Sequence, residues 1–240
     1  FDTEEEKSLL QESHSQKSSA NTLFTRGDYS SAIQGYEKAL SSCPTYLEYD
    51  IAVLHSNISA CHLKLEEWKS AVHSATAALD ALSRISPPAK GKDDAPDCNY
   101  SEGGVIEEVD EETAVRIDAL SRSGKTLNDV QKLRTKALLR RARARREVRG
   151  WASLQGAYED YSELAKVSGL ASLDQTAVQK ALRELPIELD EAKKTEMADM
   201  MGKLKQLGNG ILRPFGLSSD NFNFVKDEKS GGYSMQFNRG

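Results

Sequence analysis

Small and aromatic residues recur along this chain at the spacing of helices packed in pairs. Ala20, Tyr29, Ala32, Tyr36 and Ala39 are answered 39 positions later by Ser59, Trp68, Ala71, Ala75 and Ala78, which marks a repeated unit of two helices. The first copy reads "ESHSQKSSANTLFTRGDYSSAIQGYEKALSSCP". In it small residues fall where helices cross and large ones fill the groove between them, while Gly27-Asp28 makes the turn and Pro44 closes the unit. A third copy starts near Thr135, with Ala142 and Trp151 lying 83 residues after Ser59 and Trp68. Ala157, Tyr161 and Leu164 then come three positions late, which predicts an expanded turn after Trp151.

Between the second and third copies the pattern stops. "SPPAKGKDDAPDCNYSEGG" offers almost nothing apolar to bury, so a largely disordered acidic insertion is expected over 83–123. Val115, Ile117 and Leu120 near its end are spaced for a short helix. Past the third copy, "SLDQTAVQKALREL" predicts one helix and "PIELDEAKKTEMADMMGKLKQLGNGIL" a second, opened by Pro186 in its first turn. Such helices would cap the last apolar face of the array. Phe222 and Phe224, then Tyr233, Met235 and Phe237, alternate around "DEKSGG" and predict a small β-hairpin, expected to pack on the long helix because an isolated hairpin is marginal. The expected organisation is a tail or helix extension over 1–12, two repeats over 13–82, the insertion, a third repeat over 124–166, capping helices over 170–212, and a turn and hairpin over 213–240.

Composition narrows the function classes. A chain of 240 residues with 38% hydrophobic positions can bury a core without disulfide staples. Its formal charge of −5 supplies no general attraction for nucleic acid or membrane, so partners have to be read from patches. Cys43, Cys61 and Cys98 show neither disulfide-framework nor zinc spacing, which points to a reducing, cytoplasmic setting. No apolar run reaches the length of a membrane span and no signal-peptide pattern opens the chain. Phe1 standing where a Met would begin points to a fragment.

The repeat pattern resembles the tetratricopeptide repeat (TPR), over roughly residues 13–82 and 124–166. The segments "MMGKLKQLGNGILRPFGLSSDNF" and "GGYSMQF" add a C-terminal element that generic repeat proteins lack. The resemblance implies an all-α fold: three TPR hairpins in a right-handed superhelical array, C-terminal capping helices and a small terminal β-hairpin. Its first helices would line a concave groove, where residues four apart face one ligand. These positions hold Lys17 and Asn21, then Asn57, then Lys136 and Arg140. Lysines supply point charges, amides fix orientation, and an arginine forks onto a carboxylate, so the set suits a doubly negative end group.

In type and order these five residues resemble the two-carboxylate clamp of chaperone-binding TPR domains. That resemblance implies a co-chaperone that binds the C-terminal "EEVD" tail of heat-shock protein 90 or heat-shock protein 70, with a further protein partner or client. Lys17, Asn21 and Asn57 would hold the terminal main-chain carboxylate, Lys136 the Asp side chain, and Arg140 the residues upstream. Phe24, Ala60 and Leu63, one turn further along, would shelter the aliphatic residue before the motif. A scaffold acting mainly through the C-terminal element is the alternative.

Other signals lead elsewhere or nowhere. "RTKALLRRARARREVR" carries eight basic residues from Arg134 to Arg149, but without interleaved aromatics, so a nucleic-acid binder using this helix is the less favoured second alternative. Apart from Lys136 and Arg140, its basic residues are expected on the outer face of one helix. His14, His55, His62 and His73 have no metal-ligand spacing, and His62 is expected as a core or hydrogen-bonded imidazole. No nucleophile elbow or phosphate loop occurs. No enzyme activity, metal or cofactor is expected. The insertion itself contains "GGVIEEVD", whose Ile106, Glu107, Glu108, Val109 and Asp110 imitate the clamp's ligand without a free terminal carboxylate. It reads either as a weak internal competitor or as a solvated linker.

Overall fold

The computed structural model describes residues 3–86, 120–121, 124–212, 222–226 and 233–237. Six helices pair in sequence order: α1 (Thr3–Thr25) with α2 (Tyr29–Ser42), α3 (Glu48–Lys64) with α4 (Trp68–Ile85), and α5 (Leu127–Val148) with α6 (Trp151–Ala165). The partners within each pair pack together, α2 packs on α3, and α4 on α5. This is an all-α array of three TPR hairpins. The chain divides into two compact units, residues 1–186 and 187–240.

Local chemistry explains the hairpins. Gly27 adopts φ +84°, a conformation costly for a residue with a Cβ, and Asp28 then caps α2 by accepting from the Ser31 N–H at 3.1 Å. α5 opens on a reciprocal capping box between Thr126 and Asp129, which satisfies two donors that a helix start leaves bare. The small residues are needed where α1 crosses α2: a Cβ placed on Gly35 would stand 2.9 Å from the Ala20 Cβ. Hydroxyls lock the same crossings, since Ser13 Oγ donates to the Ala39 carbonyl at 2.8 Å and Ser59 Oγ to that of Ala71 at 2.9 Å. Around these contacts Tyr36, Leu54 and Cys61 form the core of the first hairpins, and Leu82, Ile85, Leu120 and Val130 join the second hairpin to the third.

The third hairpin corrects one expectation. Its turn is Arg149-Gly150, with φ of 60° and 77°, and lies before Trp151; α6 then runs unbroken to Ala165. Leu154 and Tyr161, both buried, take the places of Ala71 and Ala78, so no register is lost. The small residues of this hairpin sit elsewhere because an arginine has entered the crossing. Arg145 donates to the Gly156 carbonyl at 3.0 Å and to Asp160 at 2.9 Å, and a Cβ on Gly156 would stand 3.0 Å from that guanidinium.

The C-terminal helix is the second correction. Ser172–Leu212 forms one helix, α7, with Pro186 inside it, where two helices were expected. Proline removes one backbone donor and crowds the preceding turn, but strong helix formers on either side, "KALREL" and "ELDEAKK", continue the ladder through it. Within residues 187–240, strands β1 (Phe222–Lys226) and β2 (Tyr233–Phe237) pair antiparallel, with Phe222 opposite Phe237 and Phe224 opposite Met235.

Candidate functional site

The first helix of each hairpin contributes one stripe to a shared face. On α3 the stripe is Asp50, Asn57 and Lys64, seven residues apart and so nearly superposed along the axis. On α1 it is His14, Lys17, Asn21 and Phe24, and on α5 it is Lys136, Arg140, Arg143 and Glu147. Contacts between stripes fix their facing. Lys17 Nζ lies 3.5 Å from Asp50 Oδ1, linking α1 to α3. Arg140 Nη1 donates to both the carbonyl and the hydroxyl of the fully buried Ser56 at 2.5 Å, linking α5 to α3.

Asn21 is exposed, yet its amide is oriented from beneath: Tyr36 Oη donates to Asn21 Oδ1 at 2.7 Å. Burial pushes the Tyr36 phenol up to about 12, with further upward pressure from Cys61, so it remains a donor throughout the physiological range. The Asn21 acceptor is thereby occupied and its NH2 is left to face outward. Burial lowers the Arg140 guanidinium from its ordinary value. Its fork keeps donors beyond the two bonds made by Nη1.

One turn beyond Asn21 and Asn57, Phe24, Ala60, Leu63 and Arg140 meet around a cavity of about 550 Å³, which Trp68 and Tyr161 also line. Lys64, Arg143, Arg146 and Glu147 complete its lining. Lys17, Asn21, Asn57 and Lys136 lie outside that lining; Asn57 is half-buried and Lys136 exposed. The structure therefore sets lysines and amides at one level of the face and, at the next, a recess with aromatic and aliphatic walls among charged side chains. Such a face can hold an anion beside an aliphatic side chain. Residues Ile106 to Asp110 lie outside the described residues.

Three contributors escaped the sequence reading. Tyr36 counted only as a core aromatic, although its hydroxyl orients Asn21. Ser56, adjacent to Asn57, gave no sign that it would receive Arg140. Asp50 was detectable: it stands seven residues before Asn57 and so shares its stripe.

The remaining arginines of α5 are not the solvated outer face expected of them. Arg141 and Arg145 both engage the buried carboxylate of Asp160, at 2.7 and 2.9 Å. Arg143 pairs with Asp174 at 3.3 Å and Arg146 with Glu184 at 2.7 Å. The basic run thus fastens α5 to α6 and to the first part of α7. His62 is likewise engaged, its Nδ1 lying 2.6 Å from Glu67.

Comparison with known proteins does not fix a family. No protein-family profile matches the chain. It is 33% identical over 75 residues to the mouse (Mus musculus) mitochondrial import receptor subunit TOM70, an overlap covering 31% of this chain and 12% of the relative. It is 35% identical over 78 residues to mouse sperm-associated antigen 1, covering 32% of this chain and 8% of that one. The chain thus spans a small part of the curated relatives it matches. Among solved structures, the first TPR of Spaghetti (RPAP3) bound to the HSP90 peptide SRMEEVD superposes with a TM-score of 0.45 at 19% identity, over 75% of this chain and 95% of that one.

Proposed function

We propose that this chain is a cytoplasmic TPR adaptor, a co-chaperone that captures the free acidic C-terminus of heat-shock protein 90 or heat-shock protein 70. The observation that carries the reading is the layering of one face. Lys17, Asn21, Asn57, Lys136 and Arg140 occupy the first helices of three successive hairpins, and a cavity that exposes Phe24, Ala60 and Leu63 among cationic side chains opens one turn further on. An extended peptide advances about 3.3 Å per residue and a helix about 5.4 Å per turn. A terminal Asp at the level of the cations would thus leave an aliphatic residue a few positions upstream near the cavity. The two lysines meet the two terminal carboxylates, the amides supply directional donors, and Arg140 faces the upstream backbone.

The deciding experiment is calorimetric titration with a tail ending in Glu-Glu-Val-Asp, against the same tail amidated at its C-terminus. The reading requires the free acid to bind and the amide to bind much more weakly. Equal binding of the two would end it.

The exposed residues Met197, Met200, Met201, Leu204 and Leu207 of α7 favour a second reading, in which the C-terminal element holds a protein partner or client and the groove is secondary. "MMGKLKQLGNGILRPFGLSSDNF" and "GGYSMQF" in this region are similar to tetratricopeptide repeat protein 1. Such a scaffold would bind its partner equally well with the groove mutated.

A further inference from the structure

Lys17 is not bare. Asp50 Oδ1 stands 3.5 Å from Lys17 Nζ and 3.5 Å from His14 Nε2, so one carboxylate oxygen is shared by two neighbours on α1. We propose that Asp50 is the resident counter-ion of Lys17, which the main-chain carboxylate of a ligand has to displace, and that it thereby sets the affinity of the groove. The proposal rests on the clamp reading given above.

Three observations support displacement over a fixed structural pair. The separation exceeds the 2.7–2.9 Å typical of a tight charge-assisted bond, so the ammonium is loosely held. Lys17 and Asp50 retain side-chain exposures of 24% and 14%, enough for an incoming carboxylate to reach the ammonium. His14 gives Asp50 a second neighbour, so the carboxylate is not left alone when Lys17 turns to the ligand. Asp50 also shares its α3 stripe with Asn57, which places its negative charge two turns from a residue assigned to the same ligand carboxylate. Like charge at that range opposes binding.

A counter-ion and a positioning residue predict opposite signs. If Asp50 competes, Asp50→Asn tightens binding of a free-acid Glu-Glu-Val-Asp tail about two- to fivefold at low salt, the span expected for a part-exposed pair. The gain shrinks as ionic strength rises. It is lost in the Lys17→Ala background, because no ammonium remains to be freed, and it is absent for the amidated tail. Unchanged or weaker binding by a folded Asp50→Asn protein would overturn the proposal, and so would a gain that persisted without Lys17. His14→Ala supplies an independent measurement at an exposed position. Left with Lys17 as its sole neighbour of the two, Asp50 holds it harder, and the tail binds up to about twofold more weakly; tighter or unaltered binding counts against the idea. If the wild-type protein bound neither tail, the clamp reading itself would fail and this proposal with it. If wild type binds and Lys17→Ala weakens it while Asp50→Asn brings no gain, only the role of Asp50 is lost.

Discussion

Tyr36 Oη reaches from α2 to the side-chain oxygen of Asn21 on α1, at 2.7 Å. A residue of the core thus decides which end of a surface amide meets solvent. Tyr36→Phe keeps the packing and removes the hydroxyl, so Asn21 becomes free to turn its oxygen outward. Thermal unfolding should show a loss of about 1 kcal/mol, and tail affinity should fall by about two- to fivefold. Equal affinity of Tyr36→Phe and wild type would mean that the orientation of Asn21 is irrelevant to binding.

The two lysines should differ. Lys17 is three-quarters buried beside Asp50, and its truncation to Ala should cost about 2–5 kcal/mol of tail affinity, the range for removing one partner of a desolvated charge pair. Lys136 is exposed, and its truncation should cost nearer 1 kcal/mol and show the steeper salt dependence. Calorimetry on both variants tests the order.

Arg140 ties binding to stability. Its Nη1 serves two Ser56 oxygens across the α3 and α5 contact, a task a lysine does with poorer geometry. Arg140→Lys should lower stability by about 1–3 kcal/mol, since Ser56 is fully buried and would lose well-placed partners. Chemical denaturation with a retained m-value is the expected signature.

Acid should destabilise the array through His55. Burial first, then the nearby His73 and Arg84, hold its imidazole below the ordinary value. The unfolded chain therefore takes up a proton at about pH 6.5 while the folded one does not. The associated stability is complete above that pH and is lost as pH falls toward and through the lower folded value. Melting temperatures from pH 7 to 5 should fall less steeply for His55→Asn than for wild type.

Much of the fold was legible because TPR packing uses residue size as its code. Ala20, Ala32, Ala39, Ala71, Ala75 and Ala78 are all fully buried, as their recurrence required. The third hairpin was misread where size was no guide: the partly exposed guanidinium of Arg145 lies over Gly156, and polar crossings leave no apolar period. The single course of α7 was missed for a different reason. A proline inside a helix and one in its first turn look alike in sequence, and only the continuing backbone ladder separates them. At the candidate site, Lys17, Asn21 and Arg140 were proposed from four-residue spacing, but their partners Asp50, Tyr36 and Ser56 lie on other helices, and of these only Asp50 left a local sign, its seven-residue spacing from Asn57.

Arg134 and Arg140 also bear on how the array avoids assembling wrongly. Both lie on α5, and each delivers a guanidinium to an acceptor on the preceding hairpin: Arg134 to the Ser86 carbonyl at 2.6 Å and Arg140 to Ser56. If the third hairpin docked one helical turn out of place, both largely buried guanidinium groups would lose these acceptors. A stranded charge of that kind costs several kcal/mol, far more than slipped methyl groups would. The two contacts therefore favour the observed register of the third hairpin over one slipped by a turn.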